Sequence, residues 1–239
     1  MCIRDRFEDK NVLIINKPAG ILSQKAKASD VSMVEYIIAY LLDKGELTRE
    51  DLRTFRPSVC NRLDRNTSGI LVAGKSLSGL QTLSAMLKDR SLHKYYQCVV
   101  LGSCKKKEYI RGYLKKEERT NRVRILKEKE EGAVEIETEY EALEYGNGFT
   151  LLQVKLITGR SHQIRAHLSS IGHPILGDFK YGNRELNEEC RKKWQVKSQL
   201  LHASKLEMPV MKGDCENLSE MVFIAPLPSV FYKVMEKGI

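Results

Sequence analysis

Asn61-Arg62-Leu63-Asp64-Arg65-Asn66-Thr67-Ser68-Gly69 is the stretch on which the interpretation of this sequence depends. It places one carboxylate, Asp64, between two arginines and follows it with small polar residues and a glycine. Nearby cations favour the charged form of an acid, so we expect Asp64 to be ionised at neutral pH. An ionised carboxylate is suited to attacking an electrophilic carbon or accepting a proton. For an isolated motif of this kind, a surface turn with a structural ion pair is the alternative.

Length and composition are ordinary for a globular protein. The chain has 239 residues, of which 42% are hydrophobic and 30% are charged. Its longest apolar runs, such as residues 37–42, are far shorter than the roughly 20 residues that cross a bilayer. The first residues contain no apolar core of a signal peptide, so we expect a cytoplasmic protein. The six cysteines are scattered without C-x-x-C spacing and are expected to be reduced thiols.

Nothing in the sequence indicates a metal or an organic cofactor. His162 and His167 are five residues apart, which does not align them on one helical face as the i, i+4 spacing of a zinc site would. The chain also lacks a dinucleotide fingerprint and a P-loop. We therefore expect chemistry without a redox step or a group donor.

The spacing of apolar residues predicts a mixed α/β fold of the α+β type. β-Branched or alternating runs predict strands at residues 12–16, 70–73, 95–101 and 150–157, and a meander or hairpin pair over 108–143. Helical spacing and capping residues predict a helix over 34–42, helices capped by Ser76 and Ser161, and a last helix near 229–237. Residues 184–197 form a polar insert that is expected to be helical or irregular.

Four motifs, in the same order along the chain, resemble those of the RluA-type RNA pseudouridine synthases. Residues 61–76 resemble the family's H-R-L-D-R-x-T-S-G motif with its apolar strand, and residues 16–20 resemble its N-K-P-x-G turn. Residues 94–96 resemble its K-x-Y motif, and residues 156–182 resemble its C-terminal motif. Asn61 departs from the histidine found in many members. The closest sub-pattern is that of members acting on large-subunit ribosomal RNA, the RluC and RluD type.

The resemblance implies a mainly antiparallel sheet flanked by helices, in one catalytic domain over residues 7–239. Residues 1–6 are left as an N-terminal stub that indicates a truncation or a mispredicted start. The implied reaction is the isomerisation of uridine to pseudouridine in RNA, without a cofactor. A membrane and an obligate protein partner are not expected, and the protein is expected to be a monomer.

The resemblance also implies catalytic roles for three residues. Asp64 would attack the anomeric carbon of the ribose or remove a ribose proton, and the sequence leaves both routes open. Tyr96 would stack on the uracil and serve in proton transfer at carbon 5. Arg165 would pair with the catalytic aspartate and keep it charged, since a guanidinium can hold a carboxylate bidentately.

Further residues are expected to bind the RNA. The target base must leave its stack before an enzyme reaches the glycosidic bond, and Arg62 would fill the vacated space. A plain phosphate contact is the alternative for Arg62. The other candidates for RNA or substrate contact are Lys17, Arg65, Arg160, His162 and Ile164. For His162 a helix cap is equally supported, and for Ile164 core packing is the better supported role.

The net charge of +9 suggests a polyanionic partner. Residues 105–129 carry eleven Lys or Arg against four Glu, whereas residues 130–144 carry seven Glu and no base. Two interpretations explain this charged block equally well. Either neighbouring strands pair their opposite charges, or the basic residues contact RNA directly.

Three other functions remain open. A transfer RNA could be the substrate, or the chain could be a non-catalytic RNA-binding or ribosome-assembly factor. A carboxylate-based hydrolase is less favoured, because glycosidases generally need a second acid about 5–10 Å away and none is evident near these motifs.

Overall fold

The computed structural model describes residues 5–117 and 120–236 of the chain. These residues form two compact units, which we call unit 1 (residues 5–93 and 203–226) and unit 2 (residues 94–202 and 227–236). Of the stub expected at residues 1–6, residues 1–4 lie outside the described residues, whereas Asp5 begins the first strand. The single catalytic domain expected over residues 7–239 stays a prediction.

The secondary structure alternates between strands and helices along the chain. The strands are β1 (Asp5–Glu8), β2 (Val12–Lys17), β3 (Ser58–Val59), β4 (Ser68–Gly74), β5 (His93–Leu101), β6 (Lys107–Glu117), β7 (Arg122–Leu126), β8 (Val134–Gly146), β9 (Phe149–Leu156), β10 (Leu201–Glu207) and β11 (Val222–Ile224). The helices are α1 (Met33–Asp43), α2 (Asp51–Thr54), α3 (Leu77–Asp89), α4 (Gln163–Ser170), α5 (Arg184–Trp194) and α6 (Ser229–Met235), and a 3₁₀ helix spans Gly213–Leu218.

Unit 1 is built on strands in the order β1-β2-β4-β10, with β3 beside β4 and β11 beside β10. Strands β2 and β4 are antiparallel and almost wholly buried, which explains their continuous apolar sequences. Helix α3 packs against β4 and begins at Ser76, whose Oγ accepts a hydrogen bond from Gly79 N as expected of a cap. In the register of β2 and β4, Lys17 lies opposite Gly69, so the turn after β2 adjoins the loop that carries Asp64.

Unit 2 is built on strands in the order β5-β9-β8-β6-β7, and each of these neighbouring pairs is antiparallel. Helix α4 packs on β6, β7 and β8, where Ala166 joins a small core with Leu114, Val123 and Ile136. Helices α5 and α6 pack together over a second core that includes Val99 and Phe149. Both units therefore agree with the expected mainly antiparallel α+β fold.

Opposite charges pair across β6 and β8. Arg111 forms an ion pair with Glu135 (2.6 Å), and Lys107 forms one with Glu139 (2.7 Å). These pairs confirm the strand-pairing interpretation of the charged block over the residues that the structure describes. Direct RNA contact by the remaining basic residues of the block stays a prediction.

Three further features concern the described residues alone. None of their helices combines the length and apolar character needed to span a membrane. No group of three or more His, Cys, Asp or Glu side chains within them could hold a metal ion. Their cysteines are free thiols, namely Cys60, Cys98, Cys104, Cys190 and Cys215.

Candidate functional site

The backbone beside Asp64 is held by hydrogen bonds on both sides of the carboxylate. Before it, Ser23 Oγ donates to Leu63 O (2.8 Å) and accepts from Leu63 N (2.9 Å). After it, Arg65 O accepts a hydrogen bond from Gly20 N (2.8 Å). The loop is thus fixed at the residues that flank the acid, which reduces the freedom of its main chain before any substrate binds.

Lys17 ties the same loop to the turn after β2. Its side chain is fully buried, and its Nζ donates to Pro18 O (2.9 Å), Ile21 O (2.7 Å) and Arg65 O (3.1 Å). Burial lowers the pKa of Lys17 to about 8, while the charge of Asp64 raises it. The structure corrects the expectation that Lys17 contacts RNA, because an ammonium group that is buried and bonded to three carbonyls is not presented to a ligand.

Three hydrogen bonds hold the ends of the loop, two from the side chain of Asn61 and one between main-chain atoms. Asn61 donates from Nδ2 to Ile70 O (3.3 Å) and accepts at Oδ1 from Val72 N (2.8 Å). At the other end, Thr67 N donates to Asp64 O (3.0 Å) and closes a turn. Asn61 therefore supports the loop, and its difference from the histidine of many family members leaves a stabilising side chain at this position.

Gly69 ends the loop at a place where no side chain fits. Its φ is +108°, and a Cβ there would lie 2.2 Å from Ala203 O. Both the backbone conformation and the close approach of β10 thus require glycine. This requirement explains the glycine that follows the polar residues of the motif.

The charged side chains of the loop differ in exposure. Arg62 and Arg65 are exposed, whereas Asp64 is half-buried between them in sequence. Exposed arginines on a fixed loop are well placed to contact phosphates, since a guanidinium donates several hydrogen bonds in a rigid plane. In unit 1 the structure therefore brings together a carboxylate, two accessible cations and a rigid backbone.

Tyr96 lies in unit 2, on β5 opposite Val154 of β9. Its side chain is 6% exposed, whereas its neighbour Tyr95 is half-buried and belongs to the other face of the strand. The catalytic role of Tyr96 stays a prediction.

The turn between β9 and α4 is fixed by Gln163, which is 2% exposed. Its Oε1 accepts hydrogen bonds from Arg160 N (3.1 Å) and from Thr158 Oγ1 (2.9 Å). Its Nε2 donates to Glu137 O (3.0 Å) and to Thr138 Oγ1 (3.1 Å). All four bonds hold the turn that carries the exposed Arg160, so that side chain is presented from a rigid base.

His162, and not Ser161, occupies the cap position of α4. It adopts the left-handed conformation with a φ of +56°, and its Nδ1 lies 2.9 Å from Tyr181 Oη. The expectation that Ser161 caps the helix is wrong, because the amide of Gln163 takes the place of a capping hydroxyl in bonding the turn. His162 is half-buried, and its contact with RNA stays a prediction.

Arg165 makes a bidentate ion pair with Asp178. Its Nε donates to Asp178 Oδ2 (2.6 Å), and its Nη2 donates to Asp178 Oδ1 (2.9 Å). Arg165 is 7% exposed and Asp178 is 1% exposed, so the pair is shielded from water. The pairing of Arg165 with Asp64 that the resemblance implies stays a prediction.

Two other residues of α4 are buried as packing residues would be. Ile164 is 4% exposed, which agrees with core packing, and its contact with a substrate stays a prediction. His167 is bonded through Nδ1 to Thr138 Oγ1 (3.0 Å), and burial lowers its pKa to about 4. His167 is therefore neutral at physiological pH and has a structural role.

Four residues that hold the candidate side chains were not identified from the sequence. They are Ser23, Gln163, Asp178 and Tyr181. Each forms a hydrogen bond with a candidate residue or with the residue next to one. Gln163, Asp178 and Tyr181 stand within the C-terminal motif, so their position in that motif was the signal available. Ser23 carried no signal, because its partner Leu63 is 40 residues away along the chain.

A family model described as RNA pseudouridylate synthase matches residues 11–170 of the chain. This span includes the loop of Asp64, strand β5 with Tyr96, and the whole of α4.

Curated relatives match over most of the chain. The ribosomal large subunit pseudouridine synthase D of Borreliella burgdorferi is 32% identical over 94% of this chain and 65% of the relative. The ribosomal large subunit pseudouridine synthase C of Pasteurella multocida is 33% identical over 77% of this chain and 53% of the relative. The synthase C of Buchnera aphidicola is 31% identical over 98% of this chain and 70% of the relative. The chain thus spans between about half and two thirds of the length of the first two.

Two solved human structures share the fold. Human RNA pseudouridylate synthase domain containing 4 aligns with a TM-score of 0.76 at 21% identity, over 96% of this chain and 90% of that one. Human RNA pseudouridylate synthase domain containing 1 aligns with a TM-score of 0.67 at 21% identity, over 99% of this chain and 96% of that one.

Proposed function

The chain belongs to the RNA pseudouridylate synthase family, and on that premise we propose that it isomerises uridine to pseudouridine in large-subunit ribosomal RNA. The observation that carries the proposal is the loop of Asp64. It presents one half-buried carboxylate on a backbone fixed from both sides, with an exposed arginine before and after it. The names of the bacterial relatives support large-subunit ribosomal RNA as the substrate.

The reaction requires one carboxylate beside the sugar and no redox partner. The bond from C1′ of the ribose to N1 of the base breaks, the base turns, and C1′ bonds to C5. The hydrogen of C5 leaves as a proton and N1 gains a proton, so atoms and charges balance. Asp64 would act at the sugar, either by attacking C1′ or by removing a ribose proton. Both routes need an ionised carboxylate.

Arg62 and Arg65 would bind the RNA on either side of Asp64. A uridine must leave its stack before its glycosidic bond is accessible, and a side chain that occupies the vacated space stabilises the extruded state. Arg62 is proposed for that role, and Arg65 for a phosphate contact. Because both side chains are exposed, neither has to abandon a buried position when RNA binds.

Tyr96 is proposed to stack on the uracil and to assist proton transfer at C5. Arg165 is proposed to keep the catalytic carboxylate ionised and oriented. Arg160 and His162 are proposed RNA contacts at the start of α4, and the first of these is exposed on a rigid turn. Ile164 stays a proposed neighbour of the base.

Basic charge supports RNA as the partner. The net charge is +9, and phosphate neutralisation by Lys and Arg dominates the affinity of proteins for nucleic acids. The proposal needs no cofactor and no obligate protein partner, and it treats the protein as a monomer. A transfer RNA is the alternative substrate within the same reaction. A non-catalytic RNA-binding or ribosome-assembly factor is the alternative from another class.

Pseudouridine mapping tests the proposal. Unmodified large-subunit ribosomal RNA and a transfer RNA pool are each incubated with the protein, treated with carbodiimide and read by primer extension. We expect new stops at one or a few uridines of the ribosomal RNA, and none with Asp64→Asn. Primer-extension stops in the transfer RNA pool alone would show that transfer RNA, and not ribosomal RNA, is the substrate. RNA binding without stops in either sample would favour the non-catalytic factor.

A further inference from the structure

Asp178 is a carboxylate of unit 2 that accepts four hydrogen bonds and lies beside Arg165, a proposed catalytic residue. Besides the two hydrogen bonds from Arg165, its Oδ1 accepts from Lys180 N (2.9 Å) and from Tyr181 N (3.2 Å). The carboxylate is therefore anchored by two main-chain amides of its own turn. An acid fixed in this way holds whatever it binds in one orientation.

The turn itself is closed and anchored. Gly182 N donates to Asp178 O (2.8 Å), and a Cβ at Gly182 would lie 2.6 Å from that same oxygen. Ser169 Oγ donates to Tyr181 O (2.7 Å), which ties the turn to the end of α4. Helix and turn therefore cannot shift independently without breaking these bonds.

The ring of Tyr181 packs against the guanidinium of Arg165. The Cζ of Arg165 lies 5.2 Å from the centroid of the Tyr181 ring, within the range of a cation–π contact. The Tyr181 hydroxyl accepts a hydrogen bond from Val123 N (2.9 Å) and lies 2.9 Å from His162 Nδ1. The ring is thus held at its hydroxyl and at its backbone, so it limits rotation of the guanidinium about the Arg165 side chain.

The role of this pair is more specific than stability. A buried ion pair is weak evidence for stability, because the cost of removing two charges from water offsets their attraction. A side-on pair through Nε and Nη2 does determine the plane of the guanidinium and directs its Nη1 end away from Asp178. Four donors already occupy the Asp178 oxygens, which argues against Asp178 as a second general acid.

We propose that Asp178 is a positioning residue that fixes the guanidinium plane of Arg165 in the orientation that catalysis requires. The proposal rests on the proposed function, because it explains what orients Arg165, a residue to which that function assigns a catalytic role. Asp178 does not contact the reacting atoms in this account, and its effect on turnover is exerted through Arg165.

A double-mutant cycle tests the proposal. Asp178→Asn keeps the shape of the side chain but turns an amide N–H toward the guanidinium, which removes the bidentate pair. We expect kcat to fall about tenfold or more while the Kd for RNA stays within about twofold. In the Arg165→Met background, Asp178→Asn should cause no further loss of kcat. Losses of kcat that multiply in the double variant would overturn the proposal.

Thr150→Val is the matched control for general destabilisation. Thr150 is equally buried in unit 2, where its Oγ1 donates to Gly102 O (2.6 Å) and accepts from Cys104 N (3.3 Å). This variant should lower Tm and leave kcat unchanged. If it lowers kcat as much as Asp178→Asn at a similar Tm, the effect of Asp178 is structural and the proposal is wrong.

A spectroscopic measurement tests the same claim without activity. The Arg165 Nε–H should exchange slowly with water in ¹⁵N-resolved NMR spectra of the wild-type protein, because it is buried and bonded to Asp178. Slow exchange should persist in Thr150→Val and disappear in Asp178→Asn. An unchanged Nε–H signal in Asp178→Asn would overturn the proposal, whereas an inactive wild-type protein would count only against the proposed function.

If Asp178→Asn does not fold, Arg165→Lys replaces it. Lysine keeps the positive charge but lacks the planar fork that takes both carboxylate oxygens. We expect kcat to fall as far as in Arg165→Met. Wild-type kcat in Arg165→Lys would show that orientation by Asp178 is not required.

Discussion

Lys17→Met separates the positioning of the Asp64 loop from the stability of unit 1. Methionine has a similar length and no charge, so it fills the same buried space. The change removes the three hydrogen bonds from Nζ, including the one to Arg65 O (3.1 Å) directly after Asp64. The loop should then keep its fold and lose one of the contacts that fix its main chain.

The magnitudes predict a small change in stability. Burial lowers the pKa of Lys17 from 10.5 to about 8, and a difference of this size corresponds to roughly 3 kcal/mol of unfavourable charge burial. Methionine relieves that cost. Against this relief stand three carbonyls that lose a donor, at about 1 kcal/mol each. The two effects nearly cancel, so we expect the free energy of unfolding to change by less than about 2 kcal/mol.

Turnover should respond far more strongly. A displacement of about 1 Å at a catalytic group can reduce the rate about 100-fold, and we expect a loss of kcat of that order. The assay is tritium release from RNA labelled at C5 of uridine, run beside urea unfolding. Wild-type kcat in Lys17→Met would refute the positioning role. A loss of unfolding free energy above about 4 kcal/mol would refute the energetic argument.

Lys75→Met is the matched control. Lys75 is a half-buried lysine of unit 1 whose side chain is 6% exposed, and it pairs with Glu8 (2.6 Å) and with Glu46. Its loss leaves two carboxylates with fewer partners, so stability should fall. Because none of these contacts involves the Asp64 loop, kcat should stay at the wild-type value.

Three further predictions follow from single residues. Gly69→Ala should lower the free energy of unfolding by more than about 3 kcal/mol in urea titrations, since its Cβ would lie 2.2 Å from Ala203 O; a loss below about 1 kcal/mol would contradict the close approach. Burial lowers the pKa of His167 to about 4, so the unfolded state binds more protons between pH 6.5 and 4 and stability should fall by up to roughly 3 kcal/mol as the pH drops through that range. His167→Asn should lack this contribution, and an identical pH slope in the variant would contradict it. Tyr96→Phe should retain RNA affinity because the ring remains, and a loss of kcat above about 100-fold would assign proton transfer to the hydroxyl.

The sequence predicted the fold where the signal was local. The charge pattern of residues 105–144 suggested strands that pair opposite charges as one of two interpretations, and Arg111 and Lys107 do form such pairs across β6 and β8. Ser76 predicted the start of α3, because a cap hydroxyl bonds an amide only three residues away. Periodicity and capping operate within a few residues, so they are readable without the fold.

The supporting contacts could not be predicted, because each depends on the fold itself. Lys17 resembled an RNA contact as a lysine in a turn, yet the pairing of β2 with β4 buries it. Ser161 resembled a helix cap, but the side chain of Gln163 occupies that role from inside the helix. Asp178 holds Arg165 only because a closed turn returns the chain to α4. No local pattern indicates which carbonyl, amide or guanidinium a side chain will meet across such distances.

The central claim is that the carboxylate of Asp64 performs the chemistry. Single-turnover tritium release and RNA affinity are measured for Asp64→Asn and for Asp43→Asn, which makes the same chemical change at an exposed position of α1. We predict that Asp64→Asn loses more than about 1000-fold in rate while its Kd stays within about threefold, and that Asp43→Asn matches the wild type in both. An Asp64→Asn variant that retains more than about a tenth of the wild-type rate would contradict the account.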